Sequence, residues 1–83
     1  MSTSRADLEA IVRGALHRQD LALSDQTKAV DVPGWDSFKM IEILMEIESR
    51  FAVVLETQDI DAIHNFGDLY ARVDDKLKAR LKR

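Results

Sequence analysis

The sequence predicts an all-α protein, a four-helix bundle with a short third helix and a long loop between its first two helices. Three observations carry this reading. Apolar residues recur at helical spacing near the start, in the middle and near the end of the chain. Capping residues stand ahead of these blocks, at Ser4, Asp36 and Asn65. The one strand-like run, Phe51-Ala52-Val53-Val54-Leu55, has no second strand to pair with.

The first helix is signalled by Ser4 and Asp7, an S-x-x-D capping pattern. Leu8, Ile11, Val12, Ala15 and Leu16 follow at the spacing of one helical face, with Gly14 as a weakening residue among them. From Arg18 to Asp36 no period survives. A stretch of that length exceeds the usual ceiling of roughly 12–15 residues for an unstructured loop, and such loops are usually functional or disordered. Leu21, Leu23, Val30 and Val32 are expected to pin it to the core as an ordered loop.

The second helix is expected from Trp35-Asp36-Ser37 to about Phe51. Asp36 is its N-cap, able to accept from the amide of Phe38 or Lys39. Trp35 and Met40 have the spacing of a hydrophobic staple, and Pro33-Gly34 supplies the preceding turn. Residues 51–55 read as a buried connector. A short helical turn is expected near Gln58–Ala62. The last helix opens at Asn65 with Asp68 at N3, and Phe66, Leu69, Tyr70, Val73, Leu77 and Leu81 form its stripe. The expected core is Leu8, Ile11, Val12, Leu16, Leu44, Ile47, Phe51, Ile63, Leu69 and Val73.

The second helix has more apolar surface than one core contact needs. With Ser37 at zero and about 100° per residue, Met40, Ile43, Leu44, Ile47 and Phe51 fall between about 240° and 340°. Phe38, Ile41 and Met45 fall between about 40° and 100°, on the side of Ser37. Two such stripes mean a central helix packed on both sides, or one packed side and one docking surface rimmed by acids. In a bundle this small the docking reading is preferred.

Composition removes several function classes. The chain has 83 residues and no cysteine, so disulfides, thiolate nucleophiles and cysteine-ligated zinc are absent. Its 15 acids and 12 bases give a net charge of −3. Residues 35–63 hold two bases and seven acids, whereas residues 72–83 hold six bases and two acids. An acidic middle suits basic protein partners and not nucleic acid, and the basic tail reads as charges complementing the end of a helix. No apolar run approaches the roughly 20 residues that span a bilayer, and no signal-peptide segment opens the chain. The expectation is one cytoplasmic domain over residues 1–83, monomeric when alone, with no nucleic-acid or membrane partner.

Ser37 stands out for chemistry. A serine at a helix start is usually a local structural residue, but here Asp36 is the better cap, leaving the hydroxyl free. No G-x-S-x-G elbow is present, and His17 and His64 read as surface or capping residues, so a catalytic serine is disfavoured. Two separated histidines match no metal spacing. A free hydroxyl beside unsatisfied amides and a positive dipole end suits a phosphate ester.

Gly34-Trp35-Asp36-Ser37-Phe38, with Ile41-Glu42-Ile43-Leu44-Met45-Glu46-Ile47-Glu48 and Arg50-Phe51, resembles the phosphopantetheine attachment region of acyl and peptidyl carrier proteins. The likeness extends more weakly over residues 5–75. It implies 4′-phosphopantetheine on Ser37, installed from coenzyme A by a phosphopantetheinyl transferase, with cargo held as a thioester. Phe38 stands where the family's commonest tripeptide has leucine, and Lys39 where many members have an acid. With the mild net charge, this points to a specialised stand-alone carrier loaded by an adenylating acyl or aminoacyl ligase and serving downstream acyl-transfer enzymes. Phe38, Ile41 and Met45 would form the docking centre, with Glu42 and Glu48 at its rim facing basic residues. The rival is a small helical adaptor without a prosthetic group, which leaves the free Ser37 and the long loop unexplained.

Overall fold

The computed structural model describes residues 5–81, with side chains described for residues 5–79. Among these residues the chain forms four helices and no strand: α1 (Arg5–Leu16), α2 (Ser37–Phe51), α3 (Thr57–Asp61) and α4 (Phe66–Leu81). The expected cap Ser4 and the side chain of Leu81 lie outside the described residues.

Helix α1 ends where His17 takes a left-handed conformation, φ 55°. The amide of Arg18 then donates to the carbonyl of Arg13 at 3.0 Å, and that of His17 to Gly14 at 3.3 Å. This double closure satisfies carbonyls the helix would otherwise leave open. His17 is therefore a capping residue. Arg13 Nε donates to the Leu21 carbonyl at 2.7 Å and starts the long loop back along α1.

The loop is ordered and contains a 3₁₀ turn, Ala29–Asp31. Val32 is buried, and Leu21 and Leu23 pack against the core. Val30 does not: it is 88% exposed. The 3₁₀ turn places it opposite the side that packs, so the expectation of a fourth apolar pin is corrected. The loop is also tied to the start of α4, where Phe66 and Gly67 donate their amides to the carbonyls of Thr27 (2.8 Å) and Asp25 (3.0 Å). These are first-turn amides with no partner inside their own helix. Asn65 caps the same turn, its Oδ1 accepting from the Asp68 amide at 2.8 Å.

The core is assembled from all of these pieces. Leu8, Val12, Ile43, Ile47, Phe66, Leu69 and Val73 are fully buried, and Trp35, Val53 and Leu55 join them. Phe51 and Ile63 are only partly buried against it. The connector after α2 is buried on alternate residues: Val53 and Leu55 point in, whereas Ala52 and Val54 are exposed. Ala52 ends α2 in a left-handed conformation and burial then alternates to Leu55, so the expected buried connector is corrected to a half-buried one. Glu48 Oε2 accepts from the Leu55 amide at 2.9 Å and holds this segment to α2.

Candidate functional site

Three local devices present Ser37. Pro33 and Gly34 form a tight turn in which Trp35 donates to the Val32 carbonyl at 3.1 Å, and Gly34 takes φ 89°. Proline at the first central position and a positive-φ glycine at the second are what a type II turn requires. Trp35 is then buried, and it lines with Met40 the same small cavity of about 40 Å³, the two arms of the expected staple. Asp36 has extended backbone, and its carboxylate accepts from the Lys39 amide at 2.9 Å. The cap is taken by Asp36, as the sequence suggested.

Ser37 is consequently the first residue of α2 and is exposed. Its hydroxyl makes no hydrogen bond among the described residues, and the amides of Ser37 and Phe38 have no acceptor there either. No base within the described residues addresses the hydroxyl. An ester anion on Ser37 would meet two free N–H groups and the positive end of a 15-residue helix. The residues present fit a phosphate-linked group at this position.

The second stripe of α2 is on the surface. Phe38 is 78% exposed, Ile41 55% and Met45 63%, whereas Ile43 and Ile47 on the other stripe are fully buried. The acids of the same helix are less free than its composition suggests. Lys39 Nζ lies 3.4 Å from Glu42, and Arg50 Nε lies 3.3 Å from Glu46. Glu48 is half-buried and committed to the Leu55 amide. Glu48, expected at the rim facing a partner, thus has one carboxylate oxygen already bonded within the chain. Its side chain lies beside the connector that folds back under α2, and it has a backbone partner there.

Sequence reasoning about α2 alone missed what α1 contributes. An open groove of about 610 Å³ runs between α1 and α2, with Met45, Glu42 and Ser49 on one side and Ala10, Gly14 and Ala15 on the other. Gly14 inside a helical pattern was the available signal. Away from this face, Asp59 is a buried carboxylate of α3. It accepts from the Glu56 amide at 2.9 Å and pairs with Lys76 at 2.9 Å and Arg72 at 3.6 Å. The amide chiefly, and then Lys76, hold its carboxyl below the usual carboxylate range. Two bases of the cationic tail are thus spent on packing α3 against α4. Among the described residues, no group of three or more His, Asp or Glu side chains could hold a metal ion, and no helix is long and apolar enough to cross a membrane.

Known proteins share this arrangement. The family model described as the phosphopantetheine attachment site matches residues 6–73. An acyl carrier protein of Thermotoga maritima is 26% identical over 70 residues, which covers 84% of this chain and 86% of that one. An acyl carrier protein of Helicobacter pylori is 25% identical over 69 residues, covering 83% and 88%. The solution NMR structure of a holo acyl carrier protein from Geobacter metallireducens superposes with a TM-score of 0.88 at 26% identity, over 94% of this chain and 90% of that one.

Proposed function

The chain belongs to the phosphopantetheine attachment-site family, and from that premise we propose that Ser37 is the residue that bears the prosthetic arm. The protein is a carrier: it holds acyl groups as thioesters on a covalently attached 4′-phosphopantetheine. Proteins of the family work with phosphopantetheinyl transferase and with acyl-handling enzymes. The single observation that carries the assignment to Ser37 is its exposed, unbonded hydroxyl at the first position of α2, with Asp36 serving as the cap in its place.

In this reading the chain's own residues have limited jobs. Ser37 Oγ would form the ester to the phosphopantetheine phosphorus as the pyrophosphate bond of coenzyme A breaks and adenosine 3′,5′-bisphosphate leaves, and its proton would pass to the transferase, since no base among the described residues addresses it. Asp36 and the Pro33-Gly34 turn fix the direction of that hydroxyl. The Ser37 and Phe38 amides orient the ester oxygens. When bound, the arm supplies the thiol that a cysteine-free chain lacks. Phe38, Ile41 and Met45 form the surface on which partners seat, with Glu42 at its edge.

The finer reading is a specialised stand-alone carrier over residues 1–83, charged by an adenylating acyl or aminoacyl ligase and unloaded by downstream acyl-transfer enzymes. Phe38 and Lys39, the mild net charge and the neutralised acids of α2 support it. Co-expression with a broad-specificity phosphopantetheinyl transferase followed by intact mass tests the attachment. One added phosphopantetheine that disappears in Ser37→Ala is the expected result. An unchanged mass for the wild-type chain, or modification that survives Ser37→Ala, would sink the assignment.

A further inference from the structure

A buried donor near Ser37 has no acceptor within the chain. Trp35 is 7% exposed, and its indole Nε1 meets no hydrogen-bond partner among the described residues. Buried polar groups are nearly always paired, so an unpaired one in a native fold calls for a reason. The staple with Met40 accounts for burying a ring at this position. It does not account for an indole, since phenylalanine would fill an apolar wall without stranding an N–H. Trp35 also stands two residues before Ser37, so their Cα atoms are at most about 7.6 Å apart.

Trp35 lines the small cavity between the long loop, the start of α2 and the α3–α4 connection. The side-chain oxygens around it are engaged: Thr27 Oγ1 accepts from the Ser24 amide at 2.9 Å, and Asn65 Oδ1 from the Asp68 amide at 2.8 Å. The second bond leaves Asn65 Nδ2 as another donor with no partner among the described residues. With donors in surplus, the cavity matches a group that only accepts. A carbonyl oxygen does so, whereas water brings two donors of its own. No lysine or arginine lines the cavity, so a neutral carbonyl suits it better than a carboxylate. Size narrows the occupant further. The cavity measures about 40 Å³. A water-sized position takes about 10–15 Å³, which gives room for roughly three heavy atoms. That is a carbonyl and its next carbon, and not a long chain. Met40, Ile63 and Leu69 supply apolar walls for the carbon.

We propose that this cavity seats a short acyl group on the loaded arm, with Trp35 Nε1 donating to the thioester carbonyl oxygen. Trp35 is then a positioning residue that selects cargo by size. Acetyl-sized groups seat, and longer chains, whose carbons have no room beyond the carbonyl, stay outside. The inference rests on the carrier reading.

Trp35 is the chain's one tryptophan, so its indole N–H gives a single proton resonance. The full chain is loaded by a broad-specificity phosphopantetheinyl transferase from coenzyme A, acetyl coenzyme A or octanoyl coenzyme A, and intact mass confirms each form. From the holo to the acetyl form the indole proton should move downfield and exchange with deuterium about three- to tenfold more slowly, the effect of one added hydrogen bond. The octanoyl form should match the holo form. Trp35→Phe keeps a ring and removes the donor. Acetylation should raise Tm in the wild type and leave it unmoved in this variant. Where the variant does not fold, the wild-type spectra decide alone. Identical indole signals in the holo and acetyl forms mean that water only meets this donor, and they overturn the proposal. A shift already complete in the holo form gives the donor to the arm itself, and one equally large in the octanoyl form denies selection by size. Each of these overturns the proposal and leaves the carrier reading intact. A chain whose mass does not change with any coenzyme A overturns both.

Discussion

Gly67, in the first turn of α4, donates its amide to the carbonyl of Asp25 at 3.0 Å, and a Cβ on Gly67 would lie 2.9 Å from that same oxygen and 2.9 Å from Asp25 Cβ. The long loop thus lies directly on the backbone of α4. Arg5 reinforces the junction, pairing with Asp25 at 2.6 Å and lying over the Phe66 ring at 5.0 Å. Gly67→Ala must push the loop backbone away and should lower stability by about 1–3 kcal/mol despite the better helix propensity of alanine. Gly14→Ala, where the added methyl meets nothing, should raise stability by about 0.5–1 kcal/mol. Urea unfolding of the two variants checks both signs, and a stabilising Gly67→Ala would show that the loop is not held against α4.

The division of labour between Asp36 and Ser37 predicts opposite phenotypes. Asp36→Ala removes the 2.9 Å bond to the Lys39 amide and should cost about 0.5–2 kcal/mol. Ser37→Ala removes a hydroxyl with no partner, so Tm should barely move while modification by the transferase stops. Thermal unfolding beside intact mass separates the two. A Ser37→Ala variant less stable than Asp36→Ala would make Ser37 the cap.

The two stripes of α2 should respond differently to truncation. Ile47 is fully buried, and Ile47→Ala should cost about 2–5 kcal/mol. Ile41 is mostly solvated, so Ile41→Ala should leave Tm nearly unchanged and slow transfer to and from partners. Easy unfolding of Ile41→Ala with normal transfer would place that stripe in the core.

Asp59 predicts a pH dependence. Its folded-state pKa is lowered by the Glu56 amide first and Lys76 next, with Arg72 adding to the effect. A lowered pKa contributes stability that is fully present above the ordinary carboxylate value and is lost as pH falls through the folded value. Wild-type stability should therefore carry a component that disappears below about pH 4. Asp59→Asn should be less stable at neutral pH and lose less on acidification. Denaturant midpoints from pH 7 down to about pH 2 measure it, and parallel curves for the two chains would remove Asp59 from the account.

The local features of this protein were legible in its sequence. Helix periodicity, the Asp36 cap, the Pro33-Gly34 turn and the Asn65 start each depend on residues within four positions of one another, and the structure keeps all of them. The exposed hydroxyl of Ser37 followed from the same arithmetic, because deciding which residue caps α2 needs only the turn that contains both. The sequence left two stripes on α2 with two meanings, and tertiary packing chose between them. Burial of Ile43 and Ile47 in the core, with α2 packed on α1, leaves Phe38, Ile41 and Met45 on the outside. The same packing decided the roles of Glu48, Asp59 and Val30. Glu48 meets the Leu55 amide seven residues away, Asp59 meets Lys76 seventeen residues away, and Val30 faces solvent because a 3₁₀ turn rotates it off the core. A side chain's type sets what bonds it can make. Which group it meets across the bundle depends on where folding brings distant segments together, and that is a property of the whole packed chain.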